Sequence, residues 1–150
     1  MLIRNMTETD LPEVCAIEQE TFSDPWSEED FRGSINEVNN GYLIAEIDEN
    51  VVGYCGYWGI AGEGYIYNVA VKKEYRRQQI GYQLLKKLIE ISQDKGVDTF
   101  TLEVRSSNEA AIHLYETLGF ERVGLRKDFY SKPNEDAVIM WWKPIQQFPL

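Results

Sequence analysis

Apolar residues spaced three and four positions apart predict a short helix near the start of the chain, after an initial strand. Asp10 precedes this helix and Glu13 follows three positions later, a pairing typical of a capped helix start. The face that this helix would turn toward the core carries Leu11, Val14, Cys15, Glu18 and Phe22.

A second helix start follows at Ser27. Ser27 and Asp30 have the spacing of a capping box, in which each side chain accepts a hydrogen bond from the other residue's backbone N–H. The residue before the cap, Trp26, can pack on Phe31 in the first turns of the helix. The pattern therefore predicts two short helices in succession after the first strand.

From residue 42 the apolar spacing becomes strand-like. Three runs, residues 42–47, 51–60 and 65–71, are rich in β-branched and aromatic side chains. Turn-forming segments at residues 48–50 and 62–64 separate them, and such short connections join neighbouring antiparallel strands. The middle of the chain is therefore predicted to be an antiparallel meander.

The second half of the chain alternates helical and strand-like patterns. An apolar stripe predicts a helix that ends near Gly96, and its members are Ile80, Leu84, Leu85, Leu88 and Ile89. Residues 99–104 predict a strand, residues 108–118 a helix, and residues 120–126 and 137–142 two final strands. The predicted order is β-α-α-β-β-β-α-β-α-β-β. Its central strand, helix, strand unit implies a parallel crossover, so we expect a mixed sheet and an α/β or α+β fold.

The composition narrows the class of protein. With 150 residues, 43% of them hydrophobic and 27% charged, the chain is predicted to form one domain over residues 1–150. No apolar run approaches the ~20 residues of a membrane span, and the first ten residues lack the basic and then apolar layout of a signal peptide. These features predict a cytoplasmic protein that makes no contact with membranes.

The cysteines and the histidine do not have the spacing of a metal or redox site. Cys15 falls in a predicted helix and Cys55 in a predicted strand, without CxxC spacing, so both are predicted to be core residues. His113 is the single histidine, and it is predicted to lie on a helix surface. We therefore expect no bound metal.

The charge distribution is acidic overall and basic at one turn. A formal net charge of −10 repels nucleic acid phosphates and favours basic partners, so no direct nucleic acid binding is expected. Four basic residues nevertheless lie within six positions: Lys72, Lys73, Arg76 and Arg77. They precede a predicted helix N-terminus, which suits a phosphate, but neither the P-loop nor the GxGxxG pattern is present. By itself the cluster is explained by an anion site or by a solvated turn.

Residues 76–81 resemble the [Q/R]xxGx[G/A] signature of the GNAT acetyltransferases, and the likeness extends over almost the whole chain. It implies the GNAT fold, with a mixed central sheet of about seven strands flanked by about four helices, and acetyl-CoA as cosubstrate. It also implies contacts to acetyl-CoA from the backbone of Val69, Ala70 and Val71. The loop residues implied are Arg76, Arg77, Gln78, Gln79, Ile80, Gly81 and Tyr82. Gln79 replaces the first glycine of the signature, which is costly if the loop requires a positive φ.

Further blocks resemble the branch of the family that acetylates protein N-termini. They are Pro-Trp-Ser at residues 25–27, Thr-Leu-Glu-Val-Arg at residues 101–105 and Leu-Gly-Phe at residues 118–120. The likeness is greatest to bacterial enzymes that acetylate the N-terminal alanine of a small-subunit ribosomal protein. It implies that acetyl is transferred to the α-amine at the basic N-terminus of a ribosomal protein.

The resemblance also implies roles for individual side chains. Glu103 would be the general base that takes a proton from the amine, Tyr115 the general acid for the departing thiolate, and Asn108 a ligand of the pantetheine arm. Alternation along its strand places Glu103 opposite the apolar residues, where it can face a cleft. From the residues alone, Glu103 would more simply be a solvated strand carboxylate and Tyr115 a core aromatic.

The acceptor side is the least specified part of the sequence. The resemblance implies that Phe22, Trp26 and Tyr130 contact the acceptor, although Trp26 is also explained as a residue that packs on its own helix. Three functions stay open. They are an N-terminal protein acetyltransferase, a GNAT enzyme for another amine such as lysine or a small molecule, and a non-catalytic CoA-binding module.

Overall fold

The computed structural model describes residues 1–144. The order of its strands and helices is the one predicted from the sequence. The strands are β1 (Leu2–Asn5), β2 (Gly41–Ile47), β3 (Asn50–Ile60), β4 (Glu63–Val71), β5 (Thr99–Arg105), β6 (Glu121–Tyr130) and β7 (Glu135–Trp142). The helices are α1 (Leu11–Thr21), α2 (Glu28–Ile35), α3 (Ile80–Gln93) and α4 (Glu109–Thr117).

The strands form one mixed sheet in the order β1-β2-β3-β4-β5-β7-β6. Neighbouring strands are antiparallel except β4 and β5, which are parallel and joined by a crossover through α3. After α4 the chain forms β6 at the edge of the sheet. It then turns back to form β7, which pairs with β5 on one side and with β6 on the other. The predicted mixed sheet, with its central crossover, is thereby confirmed.

Two apolar clusters cover opposite faces of this sheet. One packs α3 and α4 against the strands and buries the whole stripe predicted for α3. The other packs α1 and α2 against the strands through Leu11, Val14 and Phe31. Leu43 and Ile44 are consecutive on β2 and belong to different clusters, as alternation along a strand requires. Helices therefore lie on both sides of the sheet, and any opening in the sheet connects the two sides.

Such an opening exists between the two parallel strands. β4 and β5 pair only from Glu63 opposite Thr99 to Tyr65 opposite Thr101. Beyond that point β4 and β5 continue without pairing with each other, so β4 presents a backbone edge that β5 does not cover. The resulting gap is the feature around which the candidate site is built.

A β-bulge interrupts β4 just past its last pair with β5. The register between β3 and β4 shifts by one residue at Tyr67, which is the extra residue of the bulge. As a result Tyr67 and Asn68, although consecutive, both lie on the α1 side of the sheet, where Tyr67 packs near Trp26 and Asn68 lies beside Glu18. The bulge therefore turns an additional polar side chain toward the gap.

The second helix begins as the sequence predicts. Ser27 Oγ accepts a hydrogen bond from Asp30 N at 3.2 Å, and the Asp30 carboxylate accepts one from Ser27 N at 2.9 Å. Trp26 packs on Phe31 with 5.1 Å between the ring centroids. This start fixes the path of the segment that leads from α1 into α2.

The capping predicted for the first helix is wrong. Instead of capping α1, the Asp10 carboxylate accepts from Thr7 N at 2.8 Å and pairs with Arg4 at 2.8 Å. The Glu13 carboxylate accepts from Val51 N at 2.9 Å. Both carboxylates bond partners outside the helix, on β1, on β3 and, for Asp10, at Thr7 in the turn just before it. The spacing within α1 contains no information about the partners on the strands.

We predict that Ser27→Ala lowers the free energy of unfolding by about 1 kcal/mol, because it removes the oxygen that satisfies the Asp30 N–H. Urea denaturation followed by far-UV circular dichroism would measure the change. Ser23→Ala, at an exposed position just after α1, is the matched control and is expected to stay within about 0.5 kcal/mol of the parent. Equal effects of the two substitutions would contradict the capping role of Ser27.

Candidate active site

A cleft of about 470 Å³ occupies the gap between β4 and β5. Its walls come from α1 and the segment that follows it, from β4, β5 and α4, and from the connection between β6 and β7. The residues predicted from the sequence that line it are Phe22, Trp26, Val69, Glu103, Asn108, Tyr115 and Tyr130. The cleft therefore brings both predicted catalytic side chains together with the predicted acceptor residues.

Glu103 lies on β5 with its side chain turned into the cleft. Its neighbours Leu102 and Val104 are buried on the other face of the sheet, as the alternation predicted. The carboxylate accepts a hydrogen bond from the Tyr65 hydroxyl, and Arg126 Nε lies 3.6 Å from its second oxygen. Only 8% of the Glu103 side chain is exposed, so it is not an ordinary solvated strand carboxylate.

The Glu103 carboxylate and burial together raise the pKa of Tyr65. Burial is the larger cause, and the hydrogen bond and negative charge of Glu103 act in the same direction. Tyr65 therefore remains a protonated donor at neutral pH. It fixes one carboxylate oxygen and leaves the other directed toward Arg126.

Tyr115 lies on α4 and is both a core residue and a cleft residue. Its ring packs in the α3 and α4 cluster, with 5.7 Å between its centroid and that of Phe120, and it also lines the cleft. Burial, reinforced by the nearby Tyr130, raises the pKa of Tyr115. Its hydroxyl is therefore protonated throughout the neutral range, which a proton donor requires.

Asn108 is positioned by capping α4. Its Oδ1 accepts a hydrogen bond from Ala111 N at 3.2 Å, so its amide nitrogen is the group left to donate into the cleft. The preceding loop is held by Glu135, whose carboxylate accepts from Ser107 N at 2.7 Å and lies 3.3 Å from Arg105. These contacts, led by the one with Ser107, lower the pKa of Glu135 to about 2.

The basic turn lies between the end of β4 and the start of α3, outside the enclosed part of the cleft. The structure places the following predicted residues in this turn or beside it: Ala70, Val71, Arg76, Arg77, Gln78, Gln79, Ile80, Gly81 and Tyr82. Arg76 Nε donates to Val71 O at 3.0 Å, which ties the turn to the strand end. Gln79 is the N-cap of α3 but does not cap it with its side chain, so the first N–H groups of the helix are available to an anion.

Gln79 occupies the conformation for which a glycine would be expected. Its φ is 61° and its ψ is 21°, in the left-handed region, and Arg77 also has a positive φ of 65°. Gly81 lies close to α4, since a Cβ there would lie 3.3 Å from Leu114 Cδ2, a tight contact with the end of a flexible side chain. The positive φ that the first glycine of the signature would allow is adopted by Gln79.

The predicted acceptor residues surround the outer part of the cleft. Trp26 packs on Phe31, as predicted for the helix start, and on Tyr67 with 4.8 Å between centroids. It also lines the cleft, and its contact with an acceptor stays a prediction. Arg105 lies over the ring of Tyr130, with 4.5 Å between the guanidinium carbon and the ring centroid. Phe22 lines the cleft and is 37% exposed. A larger, shallower groove of about 720 Å³ adjoins the cleft at Trp26 and Tyr67 and contains neither Glu103 nor Tyr115.

Sequence reasoning missed a second group of polar residues in the cleft. Tyr65 and Arg126 contact Glu103, while Glu18 and Asn68 lie deeper, on the α1 side of the sheet. Glu18 accepts from the Tyr54 hydroxyl and from Trp26 N at 2.9 Å, and burial raises its pKa. A glutamate on the apolar face of the first helix was the signal that could have revealed this group.

Other features bear on the class of site. In residues 1–144, no group of three or more His, Cys, Asp or Glu side chains is arranged to hold a metal ion. Cys15 and Cys55 are both buried free thiols, as predicted, and burial raises the pKa of each. No helix in the same range is long and apolar enough to cross a membrane.

Comparison with known proteins identifies similar enzymes. Residues 11–120 match the model of the acetyltransferase (GNAT) family. The chain is 38% identical over 142 residues to the [ribosomal protein bS18]-alanine N-acetyltransferase of Escherichia coli K12, covering 92% of this chain and 94% of that one. It is 37% identical over 139 residues to the enzyme of the same name from Salmonella typhimurium, covering 90% and 92%. The crystal structure of the ribosomal-protein-S18-alanine N-acetyltransferase from E. coli has a TM-score of 0.87 and 35% identity, covering 95% of this chain and 92% of that chain.

We predict that Gln79→Gly stabilises the protein relative to Gln78→Gly by about 1 kcal/mol. Glycine removes the cost of a left-handed backbone only at position 79, because Gln78 does not have a positive φ. Both substitutions increase the conformational entropy of the unfolded chain by a similar amount. Thermal or urea unfolding of the two variants measures the difference. Equal stabilities would show that the positive φ of Gln79 is not strained.

Proposed function

The chain belongs to the GNAT family of acetyltransferases, and we propose that it transfers the acetyl group of acetyl-CoA to the N-terminal α-amine of a protein, most specifically to the N-terminal alanine of ribosomal protein bS18. The observation that carries the proposal is the cleft that holds Glu103 and Tyr115 together where β4 and β5 part. We propose further that residues 1–150 form one such domain and that it acts in the cytoplasm.

The residues around the gap fit acetyl-CoA. The open N-terminus of α3, with Arg76 and Arg77 before it, offers N–H groups and positive charge to a pyrophosphate. The uncovered edge of β4 around Val69 offers backbone hydrogen bonds to an extended pantetheine arm, and the Asn108 amide lies across the cleft. A pyrophosphate site at α3 and an edge for the pantetheine arm along β4 thus follow one path that leads from α3 to Glu103.

The side chains can complete the two proton transfers of the reaction. Acetyl-CoA supplies the thioester. Glu103 takes a proton from the acceptor ammonium, so that the amine lone pair can attack the thioester carbon, and Tyr115 gives its proton to the sulfur as the C–S bond breaks. Backbone N–H groups at the β4 edge stabilise the negative charge that develops on the carbonyl oxygen. The nitrogen loses a second proton as the amide forms; both nitrogen protons leave through Glu103 to solvent, and Tyr115 recovers its proton from solvent.

The acceptor is proposed from charge and from the relatives. A net charge of −10 favours a basic protein over an acidic one. An α-amine has a reference pKa of about 7.7–8.0 against about 10.4 for lysine, so neutral lysine costs roughly 3 kcal/mol more at pH 7. Relatives that align over at least nine-tenths of both chains are named for the alanine of bS18, which supports an α-amine at the N-terminus of a ribosomal protein.

We predict that a peptide beginning with alanine and continuing with basic residues is acetylated at its α-amine alone. Mass spectrometry after incubation with enzyme and acetyl-CoA would locate the acetyl group. An N-terminally blocked peptide that contains lysine is the control and is expected to stay unmodified. Labelling of lysine only would favour a GNAT enzyme for another amine. Binding of acetyl-CoA without turnover of any amine would favour a non-catalytic module.

We predict that Glu103→Gln lowers kcat by about 10²–10⁴-fold, the usual contribution of a general base, with no change in the Kd for acetyl-CoA. Glutamine keeps an oxygen for the Tyr65 hydroxyl but cannot take the amine proton. Steady-state kinetics and isothermal titration calorimetry would measure the two quantities. Glu121→Gln, at an exposed position on β6, is the matched control, and an unchanged kcat for Glu103→Gln would exclude Glu103 as the base.

A further inference from the structure

The Asn68 side-chain oxygen is a buried acceptor without a donor, on a residue that lines the cleft. Asn68 is 2% exposed and lines the cleft. Within residues 1–144, its Oδ1 is the one buried side-chain nitrogen or oxygen that lacks a hydrogen-bond partner. Leaving such a group unsatisfied costs about 1–3 kcal/mol, so a donor from a ligand is the expected partner.

The orientation of the Asn68 amide is set by Glu18. The amide lies beside the Glu18 carboxylate, whose oxygens also accept from the Tyr54 hydroxyl and from Trp26 N. A carboxylate can only accept, so the NH₂ group of Asn68 faces Glu18 and its oxygen faces away. An amide turned the other way would place two oxygens together. The surrounding side chains therefore leave the oxygen of Asn68, and not its NH₂ group, as the end of the amide that lacks a partner.

Asn68 lies on the same side of the sheet as the proposed base. The bulge at Tyr67 turns Asn68 toward α1, and the Glu103 side chain leaves β5 opposite the α3 side, where Leu102 is buried. Tyr65, on the same strand as Asn68, donates a hydrogen bond to Glu103. A primary ammonium in this part of the cleft has three N–H donors, one of which is the proton that Glu103 removes.

We infer that Asn68 Oδ1 binds the ammonium of the acceptor and holds its nitrogen beside Glu103, with Glu18 acting as the positioning residue behind it. This inference rests on the proposed amine acetyltransferase function but not on the identity of the acceptor. One N–H goes to Asn68 and a second to Glu103. After Glu103 removes its proton, the hydrogen bond to Asn68 still holds the amine, and rotation about that bond turns the lone pair to the thioester.

The test compares two peptides with the same sequence, one beginning with alanine and one in which a propionyl group replaces the alanyl residue and removes the amine. Their affinities are measured by isothermal titration calorimetry with CoA bound, so that no turnover occurs. Wild type should bind the alanyl peptide more tightly. In Asn68→Leu, which has similar size and no acceptor, the ratio of the two affinities should fall by ~10–100-fold, as for a hydrogen bond to a charged group.

Controls separate this role from a structural one. Asn5→Leu, at an exposed position on β1, should keep the wild-type ratio, and the Kd for acetyl-CoA should be the same in all three proteins. Asn68→Ala provides the same readout if Asn68→Leu does not fold. An unchanged ratio in a folded, active Asn68 variant would overturn the role of Asn68 alone.

A wild-type protein that acetylates no amine would instead overturn the proposed function. If wild type acetylates a different primary amine, the comparison is made with that amine and its des-amino analogue.

Discussion

The parting of β4 and β5 is the constraint on which the rest of the site depends. Two parallel strands that stop pairing after Tyr65 and Thr101 leave backbone groups unsatisfied, which is costly inside a sheet unless something else binds there. The fold accepts this cost at one place and surrounds it with regular structure. The helix that joins the two strands begins beside the gap, so its free N–H groups and the free edge of β4 lie where, under the proposed function, one ligand binds both.

Because the gap passes through the sheet, the two proposed proton-transfer groups approach it from opposite faces. Glu103 lies on the face that carries α1 and α2, together with Tyr65, Asn68 and Glu18. Tyr115 comes from α4 on the other face, within the cluster that contains α3. In the proposed reaction the amine and acetyl-CoA enter from different sides of the sheet and meet at the gap. The proposed base, Glu103, then lies on the side of the amine, and the proposed acid, Tyr115, lies on the side of the thioester sulfur. Groups on one face only would have to compete for the same space.

The sequence predicted the features that depend on local pattern. Element order, the apolar stripe of α3, the Ser27 cap and the face of Glu103 follow from periodicity and spacing within single elements. The cap at Asp10 failed because its partners lie outside the helix, and the bulge at Tyr67 was missed because a bulge is defined by the register of the neighbouring strand. Asn68 and Glu18 were missed as site residues for the same reason, since their contact forms only once α1 packs on β4. Pairings distant along the chain are therefore what the pattern lacked.

The loop before α3 meets two different demands at its two signature positions. At Gln79 the backbone has a positive φ, and an L-residue adopts this conformation at a cost of about 1–2 kcal/mol. At Gly81 a Cβ would lie 3.3 Å from Leu114 Cδ2 and 3.8 Å from Val71 Cγ2, so space is tight only beside Leu114. A backbone cost can be offset by the rest of the fold, whereas the tight contact would be relieved by a small shift of the Leu114 side chain. Under the proposed function, replacement of the first glycine by Gln79 is therefore expected to affect stability more than phosphate binding by the loop.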